Sequence, residues 1–279
     1  LGAALALADV DGCVLTGRLS LRSHPWLADH VVFGSVVLPG TAFVELALHA
    51  GERVGCPDLA ELTLQVPLVL PGSGAVQVQV VVGEAVGSGG RSVAVYSRRD
   101  DEDVPWVRHA VGVLTDDVRS GVADLSVWPP AGASAVEVDA AYETLDGAGL
   151  AYGPVFQGLR AAWRRDGEVF AEVSLPAELH GAAEGFGVHP ALLDAVLHSL
   201  ALGGVLAGAD EGARLPFAWS GVRLHAAGAS VVRVRVASAG DGAVSLELAD
   251  PTGAPVVSVE SLALRAVSPD QIDTAHDNR

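Results

Sequence analysis

Methionine is absent from all 279 residues, and the first residue is leucine. A free-standing natural protein needs an initiator, so the sequence reads as a piece of a longer polypeptide. Cys13 and Cys56 are the only cysteines, too few for a disulfide framework and suited to a reducing cytoplasm. Basic residues are scarce: 17 Lys and Arg stand against 34 Asp and Glu, a net charge of −17. A nucleic acid or an anionic membrane meets repulsion over most of such a surface. No uninterrupted apolar run reaches the roughly 18 residues of a spanning helix. The opening "LGAALALADV" has no cationic start and is not read as a signal peptide.

What is present argues for a folded chain, since 50% of the residues are hydrophobic and only 18% are charged. The length suits one large domain or two of ordinary size. The segment 76–99 alternates valine with polar residues on both sides of a Gly/Ser loop, the pattern of a β-hairpin. "PWVRHAVGVLTDD" (105–117) reads as the next strand, and "EVFAEVSLP", "SVVRVRVASAG" and "AVSLELADPTGAPVVSVESLALRAV" repeat the habit, with "DPTG" as a turn. The stretch 116–140 is rich in Pro, Gly and Ala and is the best candidate linker. Two apolar helices, opened by Pro39 and Pro190, lie about half a chain apart, each followed by strands. A helix apolar on nearly every face must be wrapped by protein. A curled antiparallel sheet around one such helix, occurring twice, meets that need, so the expected class is α+β. The expected units are 1–125, a linker at 126–140, a second unit at 141–268, and a polar, frayed tail at 269–279.

"HVVFGSVVLPG" places His30 and Gly34 ahead of Pro39, Gly40 and Thr41. Pro39 and Gly40 stop a strand and start a helix, whose first turn has N–H groups without intrahelical acceptors. Those groups and the helix dipole suit a carbonyl oxygen that is gaining negative charge. A neutral imidazole nearby can take a proton from the adjacent carbon. The competing reading makes His30 a buried structural histidine and Gly34 a bulge.

The second constellation is Asp194 and His198, four residues apart and so on one helix face. Leu192, Leu193, Ala195, Val196 and Leu197 surround the carboxyl with apolar groups. Such burial favours a protonated, proton-donating carboxyl, which His198 can orient. The alternative is an Asp–His pair that only fixes helix packing. His30, Asp194 and His198 are also the residue types of a two-His, one-carboxylate metal site. No HExxH or paired-cysteine motif supports a metal, so none is expected. A Gly-x-Ser-x-Gly elbow, a P-loop and a dinucleotide glycine pattern are likewise missing.

Four blocks together resemble dehydratase domains of modular polyketide synthases. "HVVFGSVVLPG" is similar to that family's HxxxGxxxxP motif, "YGPVFQG" (152–158) to its YGPxFQG block, "LPFAWSG" (215–221) to its LPFxW block, and "HPALLDAVLH" (189–198) to its DxxxQ/H motif. They occur in the family's order, and the likeness covers essentially the whole chain. The resemblance implies a double hot-dog fold. It implies loss of water from a β-hydroxyacyl thioester carried on the phosphopantetheine arm of an acyl carrier protein, giving an α,β-enoyl thioester. It makes His30 the base and Asp194 the acid, with His198 orienting Asp194 and Tyr152 helping to place the β-hydroxyl. No metal, flavin or nicotinamide is expected; neighbouring synthase domains and a second copy of the chain are expected partners. Leu38, Phe43, Phe156, Trp163 and Trp219 are read as lining the core or an acyl tunnel and not as doing chemistry. Some of Arg160, Arg164 and Arg165 are expected to border the tunnel mouth and meet the carrier or its phosphate. Two other functions share the scaffold: a double-bond isomerase or cyclase, and a silent acyl-binding domain.

Overall fold

In strand Val231–Gly240 every second residue from Val232 to Val236 is fully buried, and the residues between them face outward. The same two-residue period buries Val78, Val80 and Val82 in strand Val76–Val86. Thirteen strands form one antiparallel sheet in the computed structural model, which describes residues 2–8, 11–86, 89–100, 104–118, 121, 123–202, 205 and 212–277.

The sheet has two halves. Ala3–Ala6, Cys13–Leu19, Val76–Val86, Gly90–Arg99, Val107–Thr115 and Asp58–Leu64 lie side by side in that order. The second half continues with Arg214–Leu224, Pro255–Ala266, Ala243–Ala249, Val231–Gly240, Glu168–Ser174, Leu159–Arg165 and Ser134–Val136. The seam is the pairing of Asp58–Leu64 with Arg214–Leu224, where Trp219 lies opposite Leu62. Helix Gly40–Arg53 packs on the first half and helix Pro190–Leu197 on the second, and the two helices touch. This is the double hot-dog architecture of the α+β class.

Several expectations are met and others change. The hairpin pairs Val76–Val86 with Gly90–Arg99, while its loop residues 87–88 lie outside the described set. The first helix has 14 residues, but the second has only 8 before tightening into a 3-10 turn at His198–Leu202, shorter than the long helix expected. In the linker region, where residues 119, 120 and 122 lie outside the described set, the chain is fastened to the polar face of the second half. Arg233 donates to the Leu125 carbonyl at 3.0 Å, and the Trp128 indole donates to Glu172 at 2.8 Å. The tail is not frayed over 269–277: it forms helix Pro269–Asp277, whose Ile272 is fully buried.

A separate three-stranded sheet sets Leu150–Tyr152 beside His30–Val32, with Ser35–Val36 beyond it. Strands His30–Val32 and Ser35–Val36 are joined by the two-residue turn Phe33–Gly34, with φ of 46° and 79°. Two successive positive φ values define the turn whose twist suits a hairpin, and glycine takes such a φ at little cost. Gly34 is therefore a hairpin turn residue and not a bulge.

Candidate active site

The hairpin explains the spacing of the first motif. Reversal at Phe33–Gly34 brings Val37 back against His30, where the Val37 N–H donates to the His30 carbonyl at 3.2 Å. The His30 Nδ1 lies 2.8 Å from the Val37 carbonyl oxygen. A carbonyl only accepts, so Nδ1 carries the proton and Nε2 presents a lone pair. The ring is 3% exposed. Burial, the largest influence, lowers its pKa, partly offset by Asp194 and by the Val37 carbonyl. His30 is thus held neutral, in one tautomer and one orientation.

Asp194 comes from the other half, on helix Pro190–Leu197, and its Oδ2 lies 3.7 Å from His30 Nε2. That separation is too long for a hydrogen bond, so neither group is occupied by the other. His198, four residues on, places its Nε2 3.2 Å from the same Oδ2. Asp194 and His198 are both almost fully buried. The helix begins where His189 Nδ1 accepts the Ala191 N–H at 3.2 Å, an N-cap that requires an unprotonated nitrogen. Burial pushes the His189 pKa down to about 4.

Tyr152 pairs directly with His30 across the small sheet. Its ring is 4.0 Å from the His198 ring and 5.5 Å from the His30 ring, centroid to centroid. Burial first, then Asp194 and Tyr142, raise its phenol pKa well above the ordinary value, so the hydroxyl remains a donor. The "YGPVFQG" block is also a turn into a strand: the Phe156 N–H donates to the Gly153 carbonyl at 3.0 Å, and strand Leu159–Arg165 follows. Phe156 is wholly buried with its ring 5.1 Å from His30, so this residue, read as a core or tunnel residue, also packs beside the imidazole.

His30, Tyr152, Asp194 and His198 line one cavity of about 960 Å³. Gly40, Leu38 and Phe43 line it too. Gly40 opens its helix, so its N–H has no intrahelical acceptor. A Cβ at Gly40 would stand 3.1 Å from both Leu64 and Pro216, which explains a glycine after Pro39 at this wall. Thr41 is not a wall residue; it is fully buried, and its hydroxyl donates to the Pro190 carbonyl at 3.0 Å. Trp219 is fully buried core, and Trp163 stacks edge-on with Trp128.

Arg160, Arg164 and Arg165 line no part of this cavity. They sit on strand Leu159–Arg165, where Arg160 is bonded to Ser174 at 2.9 Å and Arg165 faces Glu168 at 3.9 Å. Arg214 and Arg265 line the cavity instead. Arg214 Nε is buried with no hydrogen-bond partner, and Arg265 lies over the Phe217 ring. Also unforeseen as walls were Gln65–Pro67, Thr144–Leu145 and Gln271. Their only signal in the sequence is position beside motif-bearing elements. Among the described residues, no group of three or more His, Cys, Asp or Glu is arranged to hold a metal ion.

A buried imidazole and a buried carboxyl, one from each half, thus face a single cavity in a double hot-dog fold. Residues 1–98 match the family profile described as polyketide synthase dehydratase domain, and residues 120–272 the one described as polyketide synthase dehydratase N-terminal domain. Polyketide synthase GfsA of Streptomyces halstedii is 58% identical over 278 residues, covering 98% of this chain and 4% of that polypeptide. A solved structure concerned with dehydratase substrate selection in the borrelidin and fluvirucin polyketide synthases superposes with a TM-score of 0.90. It is 51% identical and covers 96% of this chain and 94% of that one. The bifunctional dehydratase-cyclase domain of ambruticin biosynthesis also gives 0.90, at 45% identity and 99% and 98% coverage. The chain belongs to the polyketide synthase dehydratase family, whose members are hydro-lyases.

Proposed function

We propose that His30 and Asp194 remove water from a β-hydroxyacyl thioester presented on the phosphopantetheine arm of an acyl carrier protein. The observation that carries this reading is the 3.7 Å approach of His30 Nε2 to Asp194 Oδ2 inside the cavity. The α-carbon and the β-oxygen of such a substrate are separated by only two bonds, so one base and one acid at this spacing reach both.

His30 Nε2 takes the α-proton, and the electron pair of that bond forms the α,β double bond as the β-carbon–oxygen bond breaks. The leaving oxygen takes a proton from Asp194 and departs as water. Negative charge that develops on the thioester oxygen is met by the Gly40 N–H at the helix start. The step leaves a protonated His30 beside an ionised Asp194, and return of the proton restores both. Electrons are neither gained nor lost, so the reaction calls for no redox cofactor such as a flavin or a nicotinamide. His198 holds Asp194, and Tyr152 donates toward the β-hydroxyl. The carrier protein, the neighbouring synthase domains, a homodimeric state and a cytoplasmic setting belong to the same proposal. It draws on the multidomain relatives and on two free cysteines. No described helix is long and apolar enough to cross a membrane.

The test is incubation with a 3-hydroxyacyl thioester, read by mass spectrometry. Loss of one water supports the reading; unchanged substrate at high enzyme concentration overturns it.

A further inference from the structure

Helix Gly40–Arg53 carries a buried carboxylate that the elimination does not use. Glu45 is only 9% exposed. Its Oε1 accepts the Gly187 N–H at 3.0 Å and its Oε2 the Val188 N–H at 2.9 Å. Burial raises its pKa, while those two amides lower it. Thr41, one turn earlier on the same helix face, donates its hydroxyl to the Pro190 carbonyl at 3.0 Å. Two side chains of the first half therefore grip three residues of the four-residue segment Gly187–Pro190 of the second: Gly187, Val188 and Pro190.

Those four residues lead directly into the helix that holds Asp194. His189 caps it, and Pro190 is its first residue. The Pro190 carbonyl is also the intrahelical acceptor for the Asp194 N–H, four residues on. On the other side, the helix of Glu45 and Thr41 starts just after Val37, whose carbonyl fixes His30. Burying a carboxylate is costly, and an apolar side chain would fill the same volume without that cost. What the carboxylate adds is a two-point hold on consecutive amides.

We propose that Glu45, assisted by Thr41, is a positioning residue that docks the acid-bearing helix onto the base-bearing half and so sets the His30–Asp194 separation. The proposal rests on the assignment of those two residues as base and acid. Glu45 lines no part of the cavity.

Glu45→Gln keeps the shape but turns an amide N–H donor toward a backbone N–H donor, so the grip is loosened without a void. Misplacement of catalytic groups by about 1 Å costs on the order of 10²-fold in rate. Measured well below the melting temperature, Glu45→Gln is expected to lower kcat by about 10- to 100-fold. KM should change little, and Glu45→Asp should recover part of the loss. Thr41→Val keeps the backbone amide and the side-chain volume, and its kcat is expected to fall by a smaller factor, again at nearly constant KM. Unchanged kcat in Glu45→Gln, with only a lowered melting temperature, would show a merely structural residue and overturn the proposal. Should Glu45→Gln fail to fold, Thr41→Val decides alone, and unchanged kcat there overturns it equally. His30→Ala and Asp194→Asn, assayed in parallel, separate the two failures: activity in those variants refutes the base–acid assignment itself.

Discussion

Tyr152 sits directly opposite His30 in the antiparallel ladder between Leu150–Tyr152 and His30–Val32. The ladder joins a block of the second half to the motif of the first and lays the phenol ring between the two site histidines. Removing only the hydroxyl, in Tyr152→Phe, should leave this packing intact and lower kcat/KM by about tenfold, a hydrogen bond's share of about 1.4 kcal/mol. Tyr152→Ala should cost more, because it uncovers His30 and His198 as well. Steady-state kinetics on a soluble thioester would check the order. Equal losses in the two variants would mean that the hydroxyl does nothing.

The low-pH limb of activity follows from the proposed base, His30. A buried His30 has its pKa lowered, and the base must be unprotonated to work. Activity should therefore persist through pH 6.5, the ordinary imidazole value, and fall only as the pH drops further. Tyr152, raised above its ordinary value, adds no loss below pH 10. A kcat/KM profile that declines already above pH 7 would contradict a buried neutral base.

How much of this was legible in the sequence depends on the kind of signal. Pro39 and Pro190 mark helix starts: Pro190 is the first residue of its helix, where its fixed φ suits the first turn, and Pro39 is the cap just before Gly40. Alternating valines announced the strands. The group that orients His30, by contrast, is the Val37 carbonyl, and a backbone atom leaves no mark in composition. The second helix tightens at His198 within an apolar run that has no glycine or proline to announce it. Strand Leu150–Tyr152 has three residues, too short for a period to show. Ile272 is one apolar side chain in a polar tail, and only the cluster with Val32, Val37 and Leu150 explains its burial.

Two buried histidines outside the proton transfer make the fold sensitive to acid. Burial holds both His109 and His189 at a pKa of about 4. His109 bonds Ser97 at 2.7 Å through Nε2 and the Val66 carbonyl at 2.9 Å through Nδ1. Near neutral pH both are uncharged in folded and unfolded chain alike. As pH falls below 6.5 the unfolded chain takes up protons that the native one refuses, so stability drops until about pH 4. Each histidine should cost on the order of 3 kcal/mol over that window. Urea unfolding at pH 7 and pH 4.5 checks this, and His109→Gln should reduce the difference. An equal midpoint at both pH values would exclude the mechanism.

The arginines of the cavity wall, Arg214 and Arg265, offer a cationic partner for the phosphate of a carrier-bound arm. The unpartnered Arg214 Nε is a donor that an anion would satisfy. Arg214→Glu with Arg265→Glu should slow carrier-bound substrate far more than a short thioester lacking phosphate. The same reversal at Arg160, Arg164 and Arg165 should have little effect on either. Equal slowing of both substrates by the first pair would place its role in folding and not in recognition.

The central claim is that one base and one acid, contributed by the two halves, act on a single substrate. Asp194→Asn tests it most directly, because asparagine keeps the shape of the side chain but has no proton to give at the leaving oxygen. With a 3-hydroxyacyl thioester, this variant should still bind substrate, while the rate of water loss followed by mass spectrometry falls by about 10²- to 10⁴-fold, the usual contribution of a general acid. A near-normal rate in Asp194→Asn would contradict the account, since some other group would then be protonating the departing hydroxyl.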